Sequence, residues 1–93
     1  MDLDWNYERE HDGNDLVFIC DWCSLGKSGL DLWIEDDIEI DDEKYHFYWS
    51  VMFAEEPIIT SKPIKYFKSI DNAKKDGIKA VRKLGLELLK AVI

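Results

Sequence analysis

The chain has 93 residues, the length of one domain, and is 46% hydrophobic, 34% charged and 13% aromatic, a composition that indicates packing and excludes disorder. Twenty acids against twelve bases leave a formal net charge of −8. No apolar run reaches the roughly 18 residues a membrane span needs, and the acidic start Met1-Asp2-Leu3-Asp4 is unlike a secretory signal, so a cytoplasmic location is expected.

In chain order, Leu3, Trp5 and Tyr7 alternate with Asp4, Asn6 and Glu8, the period-2 pattern of a half-buried strand. His11-Asp12-Gly13-Asn14-Asp15 carries turn chemistry. Leu16-Val17-Phe18-Ile19-Cys20 is apolar on both faces, which places it centrally in a sheet. After the loop Ser24–Gly29, Leu30, Leu32, Ile34, Ile38 and Ile40 share one parity and predict a long third strand, bent at Asp36. Asp41-Asp42-Glu43 would form the hairpin tip, and Tyr45, Phe47, Trp49, Val51 and Phe53 the inward face of a fourth strand. Glu55-Glu56-Pro57 should end that strand, because proline cannot donate to a ladder. Residues 58–68 read as a loop or an edge strand.

Ser69 has the chemistry of an N-cap and Asp71 stands in the first turn, where the helix dipole favours a carboxylate. From there Ile70, Ala73, Gly77, Ala80, Val81, Leu84, Gly85, Leu88, Ala91 and Val92 fall on one arc at helical spacing. Lys75, Lys79, Arg82, Lys83 and Lys90 fall on the other, with Leu86 among them and Ile93 nearby. The two glycines are expected to face the sheet and let the backbones approach. Strands need a cover for their apolar face, and this helix is the only candidate. The expected fold is therefore α+β: one two-layer domain over residues 1–93, with 1–54 mainly strands forming an antiparallel sheet of about four to five strands, and the long C-terminal helix of 69–92 packed on one face.

Few residues invite chemistry. Cys20-Asp21-Trp22-Cys23 has redox or zinc spacing, but it ends a strand instead of opening a helix, and His11 and His46 are the only other soft ligands. In a regular strand the two sulfurs would point to opposite faces. The run Glu35–Glu43 lacks the glycine and ligand alternation of a calcium loop, and no hydrolase, nucleotide-binding or metalloprotease motif occurs. No enzyme activity, metal or cofactor is expected.

Charge is the stronger signal. Residues 1–56 hold seventeen acids and three bases, and residues 57–93 hold three acids and nine bases. An acidic field repels nucleic acid and anionic membrane and attracts basic protein surfaces. If Leu30, Leu32 and Ile34 face the helix, Asp31, Trp33, Glu35, Asp37, Glu39 and Asp41 face outward, spaced about 6.7 Å apart along the strand, and His46, Tyr48 and Met52 extend the same face on the next strand. Trp and Tyr among charges have the make-up of an interface core with a polar rim. The blander alternative is a solvated outer face kept polar for solubility.

The stretch Tyr66-Phe67-Lys68-Ser69-Ile70-Asp71-Asn72-Ala73-Lys74, an aromatic strand end running into a capped helix, is similar to segments of small phage proteins. A small acidic domain of strands followed by one helix resembles phage-encoded inhibitors of host defence, anti-CRISPR proteins among them. That resemblance implies a protein that binds a CRISPR effector, or another nucleic-acid-binding complex, and blocks its nucleic-acid channel. The leading expectation is thus a stoichiometric inhibitor, of the DNA-mimic type, that occupies a basic, nucleic-acid-handling surface of a partner through Asp31, Trp33, Glu35, Asp37, Glu39, Asp41, His46 and Tyr48, without direct contact to nucleic acid or membrane. A homodimer stays compatible with it. The alternative is a nucleic-acid-binding protein using the basic face of the C-terminal helix.

Overall fold

The computed structural model describes the backbone of residues 3–37 and 44–92, and their side chains except those of Asp15, Val17 and residues 86–92. Five strands, β1 (Asn6–Asp12), β2 (Asp15–Ser24), β3 (Leu30–Asp36), β4 (Phe47–Phe53) and β5 (Glu56–Thr60), precede one helix, α1 (Ile70–Val92). The strands pair antiparallel in chain order, β1-β2-β3-β4-β5. α1 packs against β4 and β3. The fold is α+β, an open antiparallel sheet with one C-terminal helix on one face.

The core forms where the helix meets the centre of the sheet. Cys23, Leu32, Ile34, Trp49, Val51, Phe67 and Ala73 are buried together, and Ile70, Ile78, Ala80 and Val81 pack on them from α1. Ser69 caps the helix as its chemistry predicts: its Oγ accepts from Asn72 N at 3.1 Å and its carbonyl accepts from Ala73 N at 3.1 Å. Trp49 ties the layers together, its indole N–H donating to Asp76 Oδ2 at 2.9 Å. Gly77 lies on this seam, where a Cβ would come within 3.0 Å of Leu32 Cδ1 and 3.2 Å of Trp49 Cγ. Gly85 borders a cavity of about 220 Å³ with Leu30 and Val51 of the sheet, but a Cβ there meets nothing within 4 Å, so the close approach expected at both glycines is made at Gly77 alone.

Two further expectations change, at the start of the first strand and at the end of the fourth. The first strand begins at Asn6, not Leu3; Leu3 and Trp5 reach the core from the segment before it, while Tyr7 is 64% exposed. β2 is flanked on both sides only from Cys20 to Ser24 in the described ladders; Asp15–Ile19 pair with β1 alone. β2 is an interior strand of the sheet, between β1 and β3, and all seven β1 residues are exposed. The fourth strand ends at Phe53, and of the loop and the edge strand read after it the structure shows an edge strand, beginning at Glu56. Ala54 and Glu55, with φ of 50° and 67°, make a two-residue turn of the kind that matches strand twist, and β5 follows at once. Pro57 is accommodated in β5 because an edge strand has one unpaired side. Phe53, at the end of β4, is 52% exposed rather than inward. Ile38, Ile40 and the tip Asp41-Asp42-Glu43 lie outside the described residues, as do the side chains of Leu86, Leu88, Lys90, Ala91 and Val92 and the terminal Ile93.

One charged group is buried on the helix side. Asp21, opposite Ile34, is 2% exposed. Arg9 Nη1 stands 2.7 Å from its Oδ1, an ionic contact off the hydrogen-bond axis, and Lys74 Nζ from α1 lies 3.0 Å from Oδ2. Lys74 also sits over the rings of Trp5 and Tyr7, at 4.4 and 5.1 Å from their centroids. The acid is thus compensated by two cations from two elements, as a buried charge must be.

Candidate functional site

The register assigns the other face of the sheet. With Leu32, Ile34 and Val51 toward the helix, Asn6, Glu8 and Glu10 of β1, Cys20, Trp22 and Ser24 of β2, Asp31, Trp33 and Glu35 of β3, and Tyr48, Ser50 and Met52 of β4 share the outer side. These strand residues include four acids and no base. α1 packs on the opposite side, so no helix covers them.

At the centre of this face Trp22 and Trp33 stand directly opposite each other on β2 and β3, both half-buried. The Trp22 indole donates to Glu8 Oε1 at 3.3 Å, joining the pair to the acids of β1. Among the described residues the buried Trp33 indole N–H has no acceptor, a state that costs about 1–3 kcal/mol. Asp31 lies half-buried beside this pair, between Ser24 and Met52.

Toward the far end of β3 the face is a hydrogen-bonded network. Tyr48, 8% exposed, donates its hydroxyl to Glu35 Oε2 at 3.2 Å. Tyr66, from the β5–α1 connection, donates to Asp37 Oδ2 at 2.8 Å, and Lys62 Nζ lies 3.8 Å from the same oxygen and 4.4 Å above the Tyr48 ring. Burial raises the Glu35 carboxyl above its ordinary range; the Tyr48 hydroxyl and Lys62 oppose that rise and Asp37 adds to it. Burial, reinforced by Glu35, pushes the Tyr48 phenol up, so it remains a protonated donor. His46 pairs through Nδ1 with Asp36 Oδ1 and packs its ring on Phe47. Of the eight residues singled out in the sequence, the structure brings Asp31, Trp33, Glu35, Asp37 and Tyr48 onto one face. It engages His46 with Asp36, and Glu39 and Asp41 lie outside the described residues.

Sequence reasoning missed Trp22, although two-residue alternation from Cys20 was enough to find it. Tyr66 and Lys62 had no such signal, because they reach the face from a connection instead of a strand. Cys20 and Cys23 sit on opposite faces of β2, Cys20 opposite Glu35 and Cys23 opposite Leu32. Burial pushes the Cys20 thiol up to about 12 and the Cys23 thiol up to about 11, which leaves both as neutral packing groups. Among the described residues no three His, Cys, Asp or Glu side chains come together as a metal site.

Against known proteins, the chain matches no family model, no curated protein and no solved structure at a significant level. Function is therefore argued from the geometry of the chain itself.

Proposed function

We propose that this chain is a protein-binding module whose outer sheet face docks on a basic, nucleic-acid-handling surface of a partner protein and inhibits it stoichiometrically by occupying that surface. The observation that carries this reading is the cross-strand pair Trp22 and Trp33 set among Glu8, Glu10, Asp31 and Glu35, on a side whose strands contribute no base. Carboxylates take the place of phosphates at lysine and arginine side chains, and the indoles supply the desolvated contact area that holds such complexes. Tyr48 and Tyr66 act one step back, orienting Glu35 and Asp37. The phage-inhibitor resemblance gives this mode of action a setting, the cytoplasm of a host cell with a CRISPR effector as one target of the right chemistry. The reading requires no catalytic residue, metal or cofactor.

Affinity capture with immobilised wild-type chain, Trp33→Ala and the pair Glu10→Lys, Asp31→Lys tests it. A basic nucleic-acid-binding protein retained by the wild type and lost from both variants supports the reading. An unchanged set of retained proteins contradicts it.

A further inference from the structure

A second surface has the opposite chemistry. Between the β5–α1 connection and the first three turns of α1 lies a groove of about 440 Å³, bordered by Lys65, Lys68, Lys75 and Lys79 and by the rings of Tyr45 and Tyr66. Among the described residues that border it the one carboxylate, Asp76, already accepts from the Trp49 indole at 2.9 Å and lies 3.8 Å from Lys65. Lys68, Lys75 and Lys79 have no ion pair among the described residues; Lys68 instead lies 5.2 Å above the Tyr45 ring. Asn72, in the first turn of α1, also borders the groove, so the positive end of the helix dipole adds to the field.

We propose that this groove binds a nucleotide: the lysines take its phosphate, and the Tyr45 ring, 43% exposed, offers a face for its base. Lysine is a point-charge phosphate ligand that needs no fixed fork, and stacking on an aromatic ring tolerates any base. The ligand is one phosphorylated nucleoside, presented either as a free nucleotide or as one unit of a single strand. The proposal does not rest on the outer sheet face.

The test is an NMR titration of the full isotope-labelled chain at low salt with inorganic phosphate, thymidine triphosphate and single-stranded oligothymidine. Saturable shifts are expected at Lys68, Asn72, Lys75 and Lys79, weakening as salt rises. Lys75→Glu with Lys79→Glu should lower nucleotide affinity by roughly tenfold or more, and Tyr45→Ala should lower it for both thymidine ligands while sparing inorganic phosphate. The neutral pair Lys75→Gln, Lys79→Gln, with unchanged melting temperature, shows that any loss is electrostatic. Equal affinity for triphosphate and oligothymidine assigns the free nucleotide, and tighter oligothymidine binding assigns the strand. Absence of saturable binding, binding that survives the glutamate pair, or inorganic phosphate bound as tightly as triphosphate overturns the proposal.

Discussion

At Gly77 an added methyl would press on the root of the Trp49 ring, which cannot swing aside, and on both Leu32 methyls at 3.0 and 3.3 Å. Overpacking costs about 1–3 kcal/mol and the gain in helix propensity returns about 1. Gly77→Ala is thus expected to lower thermal stability, whereas Gly85→Ala, with open space at its Cβ, should raise it by up to about 1 kcal/mol. A melting curve of each variant checks the sign. Asp21 is the second sensitive residue. Asp21→Asn leaves Arg9 and Lys74 facing each other across an uncharged amide. Breaking a buried pair costs about 3–5 kcal/mol, and the 32% exposure of the Arg9 side chain places the loss near the lower end of that range. Chemical denaturation measures it. Glu35 gives a pH signature. Its carboxyl is raised in the folded state, so the folded chain holds that proton more tightly than the unfolded one. The stabilisation is complete below the ordinary carboxyl value and is lost as pH rises through the raised one. Glu35→Gln, which keeps an acceptor for Tyr48, should flatten this part of the stability–pH curve, as denaturation midpoints across the acid range would record.

The elements differ in how firmly they are held. β3 and β4 have strand neighbours on both sides and the helix above them, while β1 is exposed throughout and Asp15–Ile19 pair in the described ladders with β1 alone. Amides of Glu8–Glu10 should exchange with solvent by local opening, orders of magnitude faster than those of Leu32, Ile34 and Val51, in native-state hydrogen exchange. The β4–β5 hairpin is the other adjustable element. Ala54 and Glu55 both adopt left-handed backbone, which costs an ordinary residue about 1–2 kcal/mol. Ala54→Asn with Glu55→Gly should therefore raise the denaturation midpoint. This turn also shows why β5 stayed one of two readings, loop or edge strand: Ala-Glu carries none of the Asn-Gly chemistry that marks such hairpins, and Pro57 argued for a strand end. The helix was legible to the residue at Ser69, because capping, dipole and periodicity all agree there. Leu16–Ile19 read as central because an apolar run signals burial on two faces, and β2 is an interior strand, with β1 and β3 on either side.

Over the whole molecule, the charge division along the chain becomes a division in space. Acids of β1 and β3 gather on the outer sheet face, and lysines of the β5–α1 connection and α1 gather around one groove. The outward parity of Asp31, Trp33 and Glu35 followed from alternation alone. What alternation could not supply was the engagement of those groups: Tyr48 is buried against Glu35, and Tyr66 and Lys62 hold Asp37. The aromatic anchor we propose for that face is accordingly Trp33 with Trp22, not Tyr48. Rim acids govern encounter, and anchors govern dissociation. Reversal of Glu10 and Asp31 should slow association and weaken its salt dependence, and Trp33→Ala should cost about 2 kcal/mol or more through dissociation. The most direct measurement is displacement of a labelled duplex from the captured partner by added chain. The account predicts full displacement at one chain per partner, lost with Trp33→Ala and with the Glu10→Lys, Asp31→Lys pair, and retained by the Lys75→Glu, Lys79→Glu variant. Displacement that persists in the first two variants, or that disappears only in the third, would contradict it.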